Sequence, residues 1–336
     1  MAVYRGRTFL LVVVVAVLCG QRASAQLTVK QTAPIDAEAL LQTVRTLTSP
    51  EFEGRRTGTP GNAKARAWIV ERFREIGLVP PGDTFQMPFT FTRPSPASGQ
   101  SATKGSGEGN STPVEGVNIV GTCRGSGANA QGSGASVMAI TAHYDHLGVR
   151  DGAMYPGADD NASGIAVILE LARRCVASPW THGAMFIAFD AEEQGLQGAR
   201  AFVAAPPIPK ERIALNVNLD MVSRNAKREL YVAGTYHRPA LKPVLEPIAA
   251  RAPFTVLFGH DRPKERAGGA DDWTTQSDHG AFHAAGIPFV YFGVEDHPDY
   301  HKPTDTADKI DKTFFAQVAA TIFDAVTVLD RALPLR

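Results

Sequence analysis

Three stretches of the chain, Val137–Ala142, Ala184–Phe189 and Ala214–Leu219, are predominantly apolar and run straight into side chains able to carry a proton or a cation. Short apolar runs between turn signals read as strands buried on both faces, the kind found in parallel sheets covered by helices. His143 follows the first run, Glu192 and Glu193 come just beyond the second, and Asp220 ends the third. In an open α/β sheet the carboxyl ends of the strands converge on one crevice, so groups far apart along the chain become neighbours in space.

The remaining pattern agrees with such a sheet. Helices are predicted over Asp36–Leu47, over Asn62–Ile76 with Gly77 as its stop, and over Ser163–Val176 with Ser163 as N-cap and Ile165, Ile168, Leu169, Ala172 and Val176 facing inward. Gly198–Ala204 and Lys312–Leu333 add two more. Further strands are expected at Phe85–Phe91, Val117–Cys123 and Ile287–Phe292, with Val117–Cys123 and Val137–Ala142 adjacent across a Gly-rich turn. The expected fold class is α/β, a mixed, mostly parallel central sheet with helices on both faces. From Arg93 to Thr112 the chain is mostly Ser, Gly, Pro and Thr with little to bury, and residues 93–115 read as a mobile loop. The less regular 223–275 segment reads as a rim or lid, with a strand at Glu229–Ala233 and a helix around Ala240–Ala250.

The N-terminus orders Arg5 and Arg7, an apolar stretch from Phe9 to Leu18, and Ala23-Ser-Ala25. This is the order of a cleaved secretory signal (residues 1–25), which leaves one domain over 26–336 and an exported, periplasmic or secreted protein. Leu18 before Cys19 argues against lipidation. The net charge is +0 with both signs interspersed, so neither nucleic acid nor an anionic membrane is indicated as a partner. Past the signal only Cys123 and Cys175 remain. An oxidising compartment permits their pairing, but they read first as small core residues.

Imidazole and carboxylate groups suit a borderline cation such as zinc. Asp145, two residues past His143, is placed to accept the ring's other N–H, and His146 competes with His143 as a ligand. In Pro156-Gly-Ala-Asp-Asp-Asn-Ala-Ser-Gly164 one carboxylate can bridge two metals, Asp160 being preferred to Asp159. Of the adjacent Glu192 and Glu193, one can bind metal while the other stays free as general base. Asp220 after a buried strand needs a cation or a strong donor, and His297 and His301 supply two more imidazoles.

The segments Ala142-His-Tyr-Asp145, Gly157-Ala-Asp-Asp-Asn-Ala-Ser-Gly164, Glu192-Glu-Gln-Gly-Leu-Gln-Gly198, Asn218-Leu-Asp-Met221, Ser277-Asp-His279 and His301-Lys-Pro-Thr-Asp-Thr306 resemble, in order, the motifs of the co-catalytic two-zinc exopeptidases. That superfamily includes bacterial leucine aminopeptidase, glutamate carboxypeptidase, transferrin receptor and glutaminyl cyclase, and it has a phosphorylase/hydrolase-like fold. The resemblance implies two Zn2+, with other divalent metals as alternatives: one ion on His143 and Asp220, the other on Glu193 and His301, and Asp160 bridging. It makes Glu192 the general base and Asp145 the partner of His143. The function implied is an aminopeptidase acting on a peptide substrate through a metal-bridging water.

A carboxypeptidase or dipeptidase of the same superfamily is the next reading, with Arg224, Lys227 or Arg262 available for a free carboxylate. Glutaminyl cyclase follows, and then a non-catalytic binding protein. A serine hydrolase lacks support, since no G-x-S-x-G elbow occurs in the chain. Oligomeric state and side-chain preference are not readable from the residues.

Overall fold

The computed structural model describes residues 34–93, 112–127, 135–266 and 268–335. The expected signal and residues 94–111 of the Ser/Gly-rich segment lie outside them.

The chain begins with α1 (Ala37–Leu47), capped by Asp36, whose carboxylate accepts the N–H groups of Glu38 and Ala39. Next is α2 (Pro60–Ile76), capped by Thr59 and ended by Gly77 at φ 90°, a left-handed position that suits glycine. The strands β1 (Gln86–Arg93), β2 (Thr112–Cys123) and β3 (Val137–His143) follow, then a small hairpin of β4 (Gly148–Arg150) and β5 (Ala153–Tyr155). After α3 (Gly164–Ala177) come β6 (Gly183–Phe189), α4 (Gln197–Ala204), β7 (Ile213–Leu219) and β8 (Glu229–Ala233). The chain closes with α5 (Lys242–Ala249), β9 (Thr255–Phe258), α6 (His279–Ala284), β10 (Phe289–Gly293) and α7 (Lys312–Ala332).

The main sheet has eight strands in the order β1-β2-β6-β3-β7-β10-β8-β9. Its centre, β6-β3-β7-β10, is parallel, while β1, β2 and β8 meet their inner neighbours antiparallel. The expected α/β class is therefore observed, with the apolar runs at its middle. Alternate residues of these strands feed two different cores. Phe186 packs with residues of α1, α2, α3 and α7, while its neighbour Ile187 packs with Phe202 of α4 and Phe282 of α6. Each such buried side chain contributes roughly 1.5–3 kcal/mol relative to its exposed state. Two-sided burial explains why the runs do not alternate.

Several expectations change. β2 and β3 are not adjacent, because β6 lies between them and pairs with both; a strand apolar on both faces says nothing about which strand sits beside it. β1 runs to Arg93 and β2 starts at Thr112, so Arg93 and 112–115 belong to the sheet and not to the loop. Ser163 does not cap α3: its hydroxyl donates to the Asp159 carbonyl and accepts the Val222 N–H. Val176 is 38% exposed at the end of α3. Cys123 and Cys175 are joined as a disulfide between the end of β2 and the last turn of α3, and both are buried.

Candidate active site

The carboxyl ends of β3, β6 and β7 and the turn before α3 meet in one place. His143 ends β3 and is buried; Asp220 follows β7, its N–H donating to the Phe292 carbonyl of β10. Their side chains approach each other and the turn: His143 Nε2 lies 3.2 Å from Asp220 Oδ1 and 3.2 Å from Asp160 Oδ1. Glu192 Oε2 stands 4.0 Å from the same ring nitrogen.

On the other side of Asp160, Oδ2 is 3.1 Å from His301 Nε2 and 3.7 Å from His146 Nδ1. Glu193 meets both imidazoles, with Oε2 3.3 Å from His301 and Oε1 2.6 Å from His146 Nδ1. Donor atoms of His143, Asp160 and Asp220 all fall within 4.8 Å of one another, and so do those of His146, Asp160 and Glu193. Asp160 is common to both sets. All seven residues expected from the sequence are thus brought together, and His146, ranked below His143, joins them.

The donor sets fit a cation. His146 Nδ1 and Glu193 Oε1 are close yet neither makes a hydrogen bond among the described residues. Two ligands that share an ion adopt this close but misaligned arrangement. Nitrogen and carboxylate oxygen are the donors zinc accepts.

The geometry also separates the paired alternatives. Asp159 is turned away: its Oδ1 accepts the N–H and hydroxyl of Ser223, and its Oδ2 lies 3.2 Å from His297 Nε2. Asp159 and His297 form one contact and Asp160 and His301 the other.

Several supports were given no role from the sequence: Asn161 and Asp305 sit inside the resembling segments, whereas Arg55 and Asp190 carry no local mark. Asp305 accepts the backbone N–H groups of Asp159 and Asp160 and so fixes the turn. Asn161 donates to the Leu219 carbonyl and accepts from Gly164 and Met221, tying the turn to the end of β7. Buried Asp190 accepts from Thr57, Asn62, Val117 and Tyr144, anchoring the segment that carries Glu192 and Glu193. Arg55, fully buried, donates to the carbonyls of Leu47, Tyr144, Pro156 and Gly157. The partner expected for His143 differs in detail. Its Nδ1 lies 3.1 Å from the backbone carbonyl of Asp145 and 3.7 Å from that residue's carboxylate.

The charges set the proton affinities. Burial alone would depress His143, but Asp220, Glu192 and Asp160 override it and hold it well above the usual imidazole range. Asp160 shows the opposite balance: burial raises it, and the imidazoles of His146, His143 and His301 bring it well below the usual carboxylate range. Burial pushes Glu192 well above that range, with His143 opposing and Asp220, Asp278 and Glu193 reinforcing. Burial likewise lifts Asp278 to about 7, against the pull of His143.

The model of peptidase family M28 matches residues 118–326, the span that carries most of these groups. The chain belongs to peptidase family M28. It is similar to aminopeptidase YwaD of Bacillus subtilis (strain 168), 33% identical over 208 residues that make up 56% of this chain and 41% of that one. The chain spans about half the length, or less, of the first curated relatives it matches. BSAP, a zinc aminopeptidase from Bacillus subtilis, shares the fold with a TM-score of 0.68 at 20% identity, over 88% of this chain and 96% of that chain. Fimbriiglobus ruber glutaminyl cyclase shares it too, with a TM-score of 0.64 at 21% identity, over 89% and 97% of the two chains.

Proposed function

We propose that this M28 family member is a zinc-dependent aminopeptidase that holds two metal ions and works outside the cytoplasm. One observation carries the reading: Asp160 belongs to both donor sets, whereas Glu192, 4.0 Å from His143 Nε2, belongs to neither. His143, Asp160 and Asp220 would hold one ion, and Asp160, Glu193 and His301, with His146 beside them, the other. Bound zinc supplies a Lewis acid for the peptide carbonyl and lowers the pKa of water.

The residues do the rest. Glu192 Oε2 takes the proton from the attacking water and returns it to the leaving amine. Asp145 holds the Glu192 backbone through Oδ1 and abuts the His143 ring, so base and ligand keep a fixed separation. The aminopeptidase name of the Bacillus subtilis relative supports the substrate class. The order of charges and small residues in 1–25 supports export, and the Cys123–Cys175 disulfide is compatible with it.

The test is a panel of aminoacyl-anilides and N-blocked peptides with metal-loaded wild type and Glu192→Ala. Cleavage at free N-termini only, lost in Glu192→Ala while about two metals remain bound, supports the reading. Cleavage of blocked peptides with free C-termini replaces it with a carboxypeptidase. Loss of ammonia from N-terminal glutamine without chain cleavage replaces it with a cyclase, and inactivity throughout with a binding role.

A further inference from the structure

Beside the donor sets lies a cavity of about 370 Å³ whose lining includes His146 and Glu193 together with Arg56, Arg93, Arg150 and Gln194. A second cavity of about 600 Å³ shares Arg56 and Arg93 with it and adds Arg66. Among the described residues no carboxylate lies within ion-pair distance of these four arginines, although Glu115 also lines the larger cavity. Arg56 and Arg66 make no side-chain hydrogen bond there either, and Arg150 donates to the Leu147 carbonyl and lies over the Tyr155 ring. Arg93 is held in place: it donates to Gln194 Oε1 at 2.7 Å and to the Thr57 carbonyl, and Gln194 Nε2 has no acceptor.

Clustered like charges raise the energy of the free protein unless an anion joins them, and a planar guanidinium fork matches a carboxylate in two hydrogen bonds. Partial burial and the charge of Arg56 both lower the proton affinity of Arg93, as expected of cations crowded together without a counter-charge. The basic residues proposed from sequence for this role are already engaged or largely solvated. Arg224 pairs with Asp299 at 2.8 Å, Arg262 lies over Tyr236 beside Asp261, and Lys227 is 78% exposed.

We infer that Arg56 and Arg93 form a carboxylate-binding subsite next to the metal centre, so that the enzyme prefers short peptides carrying a carboxylate on the leaving side. The inference rests on the aminopeptidase reading and names its substrate class. The carboxylate has two sources, the C-terminus of a dipeptide or an acidic side chain, and the test separates them.

The zinc-loaded protein is assayed on Leu-Gly, Leu-glycinamide, Leu-Asp-amide and a leucine anilide. A kcat/KM for Leu-Gly about tenfold or more above that for its amide, the size of one charge-assisted hydrogen bond, is expected. It falls towards parity through KM in Arg56→Gln and in Arg93→Gln. Arg56→Gln removes no protein hydrogen bond, so it reads the subsite without disturbing the fold. Leu-Asp-amide matching Leu-Gly assigns a general carboxylate site, and matching the amide assigns a C-terminal one; both support it.

Equal rates on acid and amide in wild type, with the anilide cleaved, overturn the subsite and leave the aminopeptidase standing. A preference that survives both variants and disappears in Arg262→Gln also overturns it. If no substrate is cleaved, the aminopeptidase reading falls, and calorimetric binding of Leu-Gly no tighter than its amide removes the subsite as well.

Discussion

The carboxylate of Asp145 accepts the backbone N–H of Glu192 at 3.0 Å, joining the second residue past β3 to the one that starts the glutamate pair after β6. The same Asp145 offers its carbonyl to His143 Nδ1. One buried aspartate therefore positions both a candidate ligand and the candidate base, although 47 residues separate it from the latter. Asp145→Ala should lower kcat or metal affinity by roughly 10–100-fold, the usual cost of removing such a support. Glu192→Gln should instead lower kcat by about 10²–10⁴-fold with metal content retained. Paired metal titrations and steady-state rates distinguish the two losses.

His279 should make the fold acid-sensitive. It is buried, with Nε2 2.8 Å from the Trp273 carbonyl and Nδ1 facing the Asn218 amide, an arrangement that suits the neutral ring. Burial pulls its pKa from 6.5 down to about 3. A depressed value means that the unfolded chain takes up the proton first. The contribution is complete above pH 6.5 and is lost as pH falls from there towards 3. The loss is on the order of 5 kcal/mol over that interval. Denaturant titrations at several pH values should show a shallower acid slope in His279→Gln.

Arg55 is a buried cation whose hydrogen bonds all go to backbone carbonyls, three of them flanking the site at Tyr144, Pro156 and Gly157. Burial lowers its pKa to about 10, so it stays charged at neutral pH, helped by Asp160, Asp145 and Asp305. Arg55→Met leaves those carbonyls unsatisfied and should cost about 3–5 kcal/mol by denaturant unfolding, the range seen when a buried charge network is broken. Arg55→Lys should recover only part, since one ammonium cannot span four acceptors.

The Cys123–Cys175 disulfide closes a loop with a sequence separation of 52. Chain-entropy arguments put its contribution near ~4 kcal/mol. Thermal unfolding with and without reductant, and of the Cys123→Ala/Cys175→Ala double variant, should show a marked drop in Tm. An unchanged Tm removes the bridge from the account of stability.

The sequence by itself determined the central architecture and the identity of the chemical groups. Apolar runs of strand length ending at His143, Glu192, Glu193 and Asp220 can be satisfied in few ways, since burying both faces requires helices on both sides and leaves the polar residues at the strand ends. Tertiary structure decided what depends on orientation and on partners distant in sequence. Periodicity reports burial but not neighbours, so β6 inserts between β2 and β3 without any sign in either strand. Adjacent Asp159 and Asp160 are equivalent as residue types, and only the turn fixed by Asp305 and Asn161 sends one to Ser223 and the other to the imidazoles. Arg55 and Asp190 are single polar residues with no local pattern, and Cys123 and Cys175 are joined across a sequence separation of 52. Their roles come from the groups that the fold brings within a few ångströms of them.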